Sequence, residues 1–176
     1  MKLNRTLIAL TAVALLFGSV AFARRQNRVS PHETVELTLN GKKISITYGR
    51  PSMKGRKIMG ALVPYNAVWR TGADEATVLN TEADLMIGTL AVPKGSYSLF
   101  TLPTESGWKL IVNKTAKQWG AFDYDAKQDL GRTDMKVGKT AAPVEQFTIT
   151  LAKAGSGGVI KMDWENTSAS VDVKVK

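Results

Sequence analysis

The chain has 176 residues, 24 Lys and Arg against 15 Asp and Glu for a formal charge of +9, a single His and no Cys. The lack of Cys excludes disulfides, a thiol nucleophile and a lipid-acylated start. One His excludes tetrahedral zinc sites, which need about three or four His or Cys ligands. The length suits one domain, and the basic residues are spread along the chain, which argues for solubility and anionic partners rather than nucleic acid.

In chain order, the first element is a leader. Lys2 and Arg5 precede an apolar run from Leu7 to Phe17, and Ala21 and Ala23 supply small residues. That order predicts a secretory signal peptide over residues 1–23, cut after Ala23. The run is short for a bilayer span of about 20 residues, and nothing downstream is apolar enough to replace it. Cleavage would leave 153 residues and, with Lys2 and Arg5 gone, a charge of +7. The expected compartment is therefore the periplasm or the cell exterior, with no membrane span after cleavage. Residues 24–30, which include Arg24, Arg25 and Arg28, read as a flexible start to a single domain over 31–176.

From there the dominant period is two. Val35, Leu37 and Leu39 alternate with Glu36 and Thr38, and Ile44, Ile46 and Tyr48 alternate with Ser45 and Thr47. Asn40-Gly41 between them predicts a hairpin, since both turn residues must tolerate positive φ. The stretches "ATVLNT", "LMIGTLAV" and "SYSLFTL" carry apolar residues on both faces and read as central strands. Alternation returns in "WKLIVN", "QFTITL", "VIKMDWE" and "SVDVKVK", with turns at Pro93–Gly95, Ser106-Gly107 and Ala154–Gly158. About nine or ten short strands punctuated by Gly and Pro predict an all-β, antiparallel β-sandwich of jelly-roll character. Little helix is expected: one turn within "SMKGRKIMGALVP" and a short piece within "TAKQWGAFDYDAKQDLGR".

Neither a phosphate-cradling loop nor a dinucleotide fingerprint occurs, so no cofactor is expected. Asp123, Asp125 and Asp129 have part of the spacing of a calcium loop, but Lys127 stands where a ligand belongs and no Gly or Glu completes it. A solvated loop is the reading, and no metal site is expected. His32 lies in "RVSPHETV", before the first strand, and reads as a surface residue. The segment from Arg50 to Thr77 remains, and it is expected to cross from one sheet of the sandwich to the other and line a polar cleft or end. It gathers Arg50, Lys54, Arg56 and Arg70 with Trp69, Asp74 and Glu75. Arginine meets carboxylate or phosphate through paired hydrogen bonds and stacks on aromatic rings, so these residues suit a ligand site. They equally suit a salt-bridge network. Paired carboxylates about 5–10 Å apart hydrolyse glycosidic bonds, but adjacent Asp74 and Glu75 on a strand would face opposite ways. A hydrolase would then need a second acid such as Asp123, Asp129 or Glu145.

The stretches Ser30-Pro31, "ITYGRPSMKGRKIMGALVPYNAVWRTGADEAT", "LAVPKGSYSLFTLP", "WKLIVNK", "WGAFDY", "EQFTITL" and "MDWENT" occur in one order. In these the chain resembles the secreted bacterial proteins grouped as domain of unknown function 2911. The resemblance implies an exported, all-β, single-domain protein and no particular activity. One departure is visible: the family has a Gly-Ala-Asn-Glu run where this chain carries Asp74, which places an extra negative charge beside Glu75. The functional expectation is a non-enzymatic module binding a small anionic or sugar-like ligand through Arg50, Lys54, Arg56, Trp69, Arg70, Asp74 and Glu75. The alternatives are a structural or interaction module of the cell envelope with an internal ion-pair network and, weakest, a carboxylate-dependent hydrolase.

Overall fold

The computed structural model describes residues 28–176. The predicted signal peptide, residues 1–23, lies outside them. Nine strands form in chain order: β1 His32–Leu39, β2 Lys42–Gly49, β3 Thr77–Thr81, β4 Leu85–Ile87, β5 Leu90–Val92, β6 Gly95–Pro103, β7 Trp108–Asn113, β8 Asp129–Ala154 and β9 Gly157–Val175. Among the described residues the helical content is one 3-10 turn, Ala126–Gln128, inside the stretch where a short helical piece is predicted. The near absence of helix among the described residues follows from the period-two patterning, which buries one side of each strand and cannot bury one side of a helix.

The Asn40-Gly41 hairpin forms as expected, with φ of 50° and 73° at its two turn residues and Leu39 opposite Lys42. Every strand pairing is antiparallel. Where the sequence suggests two facing layers, hydrogen bonding joins all nine strands into one open sheet in the order β1-β2-β3-β6-β7-β8-β9-β4-β5. The long β8 makes this possible. Asp129–Met135 pair with β7, and Lys136–Ala154 pair with β9. Its register breaks between Lys139 and Thr148, around Pro143, which has no N–H to give a ladder. The sheet therefore folds over on itself, and one core draws buried side chains from all nine strands. Tyr48 of β2 reaches across this core to β8. Its hydroxyl accepts from the Ile149 N–H at 2.8 Å, and burial pushes the phenol up to about 12.

Two expectations change. The run "LMIGTLAV" is not a central strand but a hairpin, β4–β5, at the sheet's edge, turning at Gly88 with φ 56°. The Arg50–Thr77 segment does not pass from one layer to another, because β2 and β3 are neighbours in register, Ile46 opposite Leu79. It is an excursion that leaves the end of β2, reaches across to β8 and β9, and returns to the next strand. Hydrogen bonds from Met53 N to Glu145 O at 2.8 Å and from Phe147 N to Pro51 O at 2.9 Å stitch it to β8. The Glu165 carboxylate of β9 accepts from Met59 N at 3.2 Å. Ile58, Val63 and Trp69 plug the excursion into the core.

Trp69 is the hub of that plug. Its ring stacks on Trp164 (centroids 5.8 Å apart, planes 18° apart) and meets Trp108 and Phe147 edge-on at 6.4 and 5.0 Å. Removing a buried aromatic of this kind costs about 3–5 kcal/mol. Trp69→Ala is expected to lower unfolding free energy by about that amount in urea titrations, with Trp69→Phe losing much less. Wild-type stability in Trp69→Ala would contradict the core placement.

Candidate functional site

The return of the excursion to the sheet, Arg70 to Ala76, is set by close backbone packing. A Cβ on Gly49 would collide with the Ala73 carbonyl oxygen, and one on Gly72 would stand 2.8 Å from the Gly49 carbonyl oxygen. Glycine at both places lets the return lie flat against the end of β2. Thr71 and Asp74 adopt left-handed φ of 58° and 63°, an uncommon conformation for a non-glycine residue. Thr71 is held there by a 2.6 Å bond from the Thr77 hydroxyl to its carbonyl and by its own hydroxyl, which lies within hydrogen-bonding distance of Trp69 O and Thr101 Oγ1.

The turn at Asp74 overturns the expectation that Asp74 and Glu75 face opposite ways. Opposite facing requires both residues to be extended, and Asp74 is not. Both carboxylates instead meet one histidine: His32 Nε2 lies 3.3 Å from Asp74 Oδ2 and 3.4 Å from Glu75 Oε2. His32 is likewise not a solvated loop residue. It opens β1, and its side chain is 16% exposed. Asp74 also accepts from Val29 N at 3.2 Å and Ser30 N at 3.1 Å. The Arg28 guanidinium grips Glu75 Oε1 through Nε at 2.8 Å and Nη2 at 2.7 Å. Residues 28–30, from the stretch read as a flexible start, are thus tied to the return. Burial raises both carboxyls, but their donors outweigh it and both lie below the usual carboxylate range: backbone N–H groups of Ser30 and Val29, then His32, for Asp74, and chiefly Arg28 for Glu75.

This tied segment forms part of the lining of two hollows. One, of about 450 Å³, is lined by Arg50, Lys54, Arg56, Arg70, Trp69 and Asp74, together with residues 29–31 and Trp164. Six of the seven sequence-predicted site residues therefore share it. Their states differ. Arg50 is spent on the protein, with Nη1 2.8 Å from Glu33, Nη2 on Thr148 Oγ1 at 2.9 Å and Nε on Phe147 O at 3.2 Å. Arg56 donates to Met53 O at 2.9 Å and Ser52 O at 2.7 Å, which fixes its guanidinium without neutralising it. Lys54 and Arg70 have no carboxylate partner among the described residues. Arg70 Nε is buried without a hydrogen bond, and burial pulls that guanidinium below its ordinary value, partly offset by Asp74. Trp69 is 9% exposed, so its faces belong to the core and not to a stacking ligand.

Glu75, the seventh, lines the second hollow, of about 460 Å³, with Arg28, His32, Lys117, Gln118 and Trp119. The sequence reading missed His32 and Trp119 as site residues. For Trp119 a signal existed in "WGAFDY", since tryptophan beside a glycine turn is an unusual loop residue. For His32 none existed, because its partners lie 42 and 43 positions away. Of the acids considered for hydrolysis, Asp129 accepts from Tyr124 and Arg132 and Glu145 accepts from Lys54 N. Each hollow has a single carboxylate on its lining. Among the described residues no group of three His, Cys, Asp or Glu is placed to hold a metal ion, and no helix is long and apolar enough to cross a membrane.

The family described as "Protein of unknown function (DUF2911)" matches residues 30–173, and the chain belongs to it. Neither a curated protein nor a solved structure matches.

The two depressed carboxyls set the acid behaviour. Each adds stability that is full above its unfolded value of about 4 and is lost as pH falls through the lower folded value. Unfolding free energy is expected to be level near neutrality and to drop below about pH 4. Asp74→Ala, which strands two backbone donors, should cost about 1–3 kcal/mol at pH 7 and flatten that drop. Urea titrations at pH 7 and pH 3 check both; stability that rises on acidification would contradict the assignment.

Proposed function

For this family member we propose an exported, non-enzymatic module that binds a small anion, a carboxylate, phosphate or sulfate compound, in the hollow lined by Arg50, Lys54, Arg56 and Arg70. Export rests on the sequence of residues 1–23 alone. The observation that carries the binding reading is the imbalance of hydrogen-bonding capacity around that hollow. Among the described residues Lys54, Arg56 and Arg70 lack carboxylate partners, while the one acid on the lining, Asp74, has its oxygens occupied by Val29, Ser30 and His32. Arg70 Nε is a buried donor without an acceptor. Leaving such a donor unmet is costly, and more so when it is charged. An anion supplies the missing acceptors with charge-assisted bonds, and the volume suits a small molecule.

A second reading is favoured by a different set of contacts. Arg28 grips Glu75 and His32 lies beside both Asp74 and Glu75, an internal charged cluster of the kind a structural module would show. The two readings divide the charged residues rather than compete for them: Asp74, Glu75, Arg28, His32 and Arg50 organise the wall, and Lys54, Arg56 and Arg70 are left for a ligand.

A thermal-shift screen of the protein against phosphate, sulfate, citrate, sugar phosphates and galacturonate tests the proposal. A ligand that binds only the native state at a hundredfold excess over Kd stabilises by about 2.7 kcal/mol. That corresponds to a rise in Tm of roughly 5–10 °C for a domain of this size. Arg70→Met should fold and lose most of the rise, and 0.5 M NaCl should weaken it. If none of these anions shifts Tm at millimolar concentration, the hollow is not an anion site.

A further inference from the structure

We infer that the second hollow is a separate site for a neutral polyhydroxylated ring of the pyranose type. The inference is independent of the anion reading, because it concerns other residues and the opposite hydrogen-bonding need. Two buried acceptors on this hollow's lining lack donors among the described residues: Glu75 Oε2 and Gln118 Oε1. The Gln118 orphan is enforced by its surroundings. Its side chain is more than nine-tenths buried, and its amide nitrogen donates to Asn113 Oδ1 at 3.1 Å and Thr115 O at 2.8 Å. Turning the amide over would set oxygen against two acceptors, so Oε1 keeps its place and stays unmet. Glu75 is fixed in the same way. Arg28 occupies Oε1, and Oε2 lies 3.4 Å from His32 Nε2 without a hydrogen bond to it.

The apolar side chains on the same lining are Ala76, Val78 and Trp119. Trp119 differs from the other three tryptophans. Trp69, Trp108 and Trp164 are buried in the aromatic cluster, whereas Trp119 is half-buried and shares none of those ring contacts. It is the aromatic surface that Trp69 does not provide. A pyranose ring matches both features. One face is a patch of C–H groups that packs on an indole, and its hydroxyls are donors for a carboxylate and an amide oxygen. A cationic amine would also satisfy Glu75, but Arg28 and Lys117 on the same lining repel it.

Saturation-transfer NMR on the full chain with the methyl glycosides of glucose, galactose, mannose and N-acetylglucosamine, and with their disaccharides, tests this. At least one sugar is expected to receive saturation, strongest on its ring C–H protons, with a Kd in the millimolar range or tighter. Trp119→Ala should weaken it at least tenfold. Val78→Trp, which fills the hollow from a sheet position, should do the same and guards against loss of fold in the first variant. Sodium chloride at 0.5 M should leave sugar affinity unchanged, which separates this site from the charge-driven one. No saturation with any of these sugars, or binding that both variants retain, would overturn the assignment.

Discussion

The Asp74 carboxylate holds the candidate site together. It accepts from two consecutive backbone N–H groups, Val29 and Ser30, and from the His32 imidazole, and so ties the chain ahead of β1 to the return of the excursion. Hydrogen bonds to a charged acceptor are among the stronger local contacts, and here three meet on one partly enclosed group. The left-handed turn at Asp74 lets Glu75 join from the same side. Besides this knot, residues 28–31 are held by the bond from Arg50 N to Pro31 O at 2.7 Å, and they line part of both hollows.

That knot also sorts the charges. The acids of the motif are turned inward to the protein's own donors, and Arg28 and His32 are spent on them. Among the described residues Lys54, Arg56 and Arg70 pair with no acid, whereas Arg50 pairs with Glu33, and Asp74, the one acid on the lining of their hollow, is already occupied. One hollow is therefore short of acceptors and the other short of donors.

Much of the fold was legible because strand burial has a period of two and leaves a mark on every second residue. The Asn40-Gly41 hairpin, the two-faced burial of β6 and the near absence of helix all follow from that pattern. Its failures are physical. Only "QFTITL" marks β8, because Lys136–Val144 is largely exposed and leaves no alternation to read. Six of seven candidate residues do share a hollow, yet their roles were not readable. Trp69 looked like a ligand platform because nothing local shows that Trp164 and Phe147 enclose it. Asp74 and Glu75 looked divergent because a left-handed aspartate cannot be told from an extended one by its letter. His32 was invisible as a partner, since tertiary folding alone brings it to residues more than forty positions on.

Amide hydrogen exchange at Val29 and Ser30 tests the central claim most directly. If Asp74 holds this segment, both amides exchange at least tenfold more slowly than in an unstructured chain at pH 7, and Asp74→Ala abolishes the slowing while β2 and β3 stay protected. Free exchange of Val29 and Ser30 in the wild-type protein, with those strands still protected, would contradict the account.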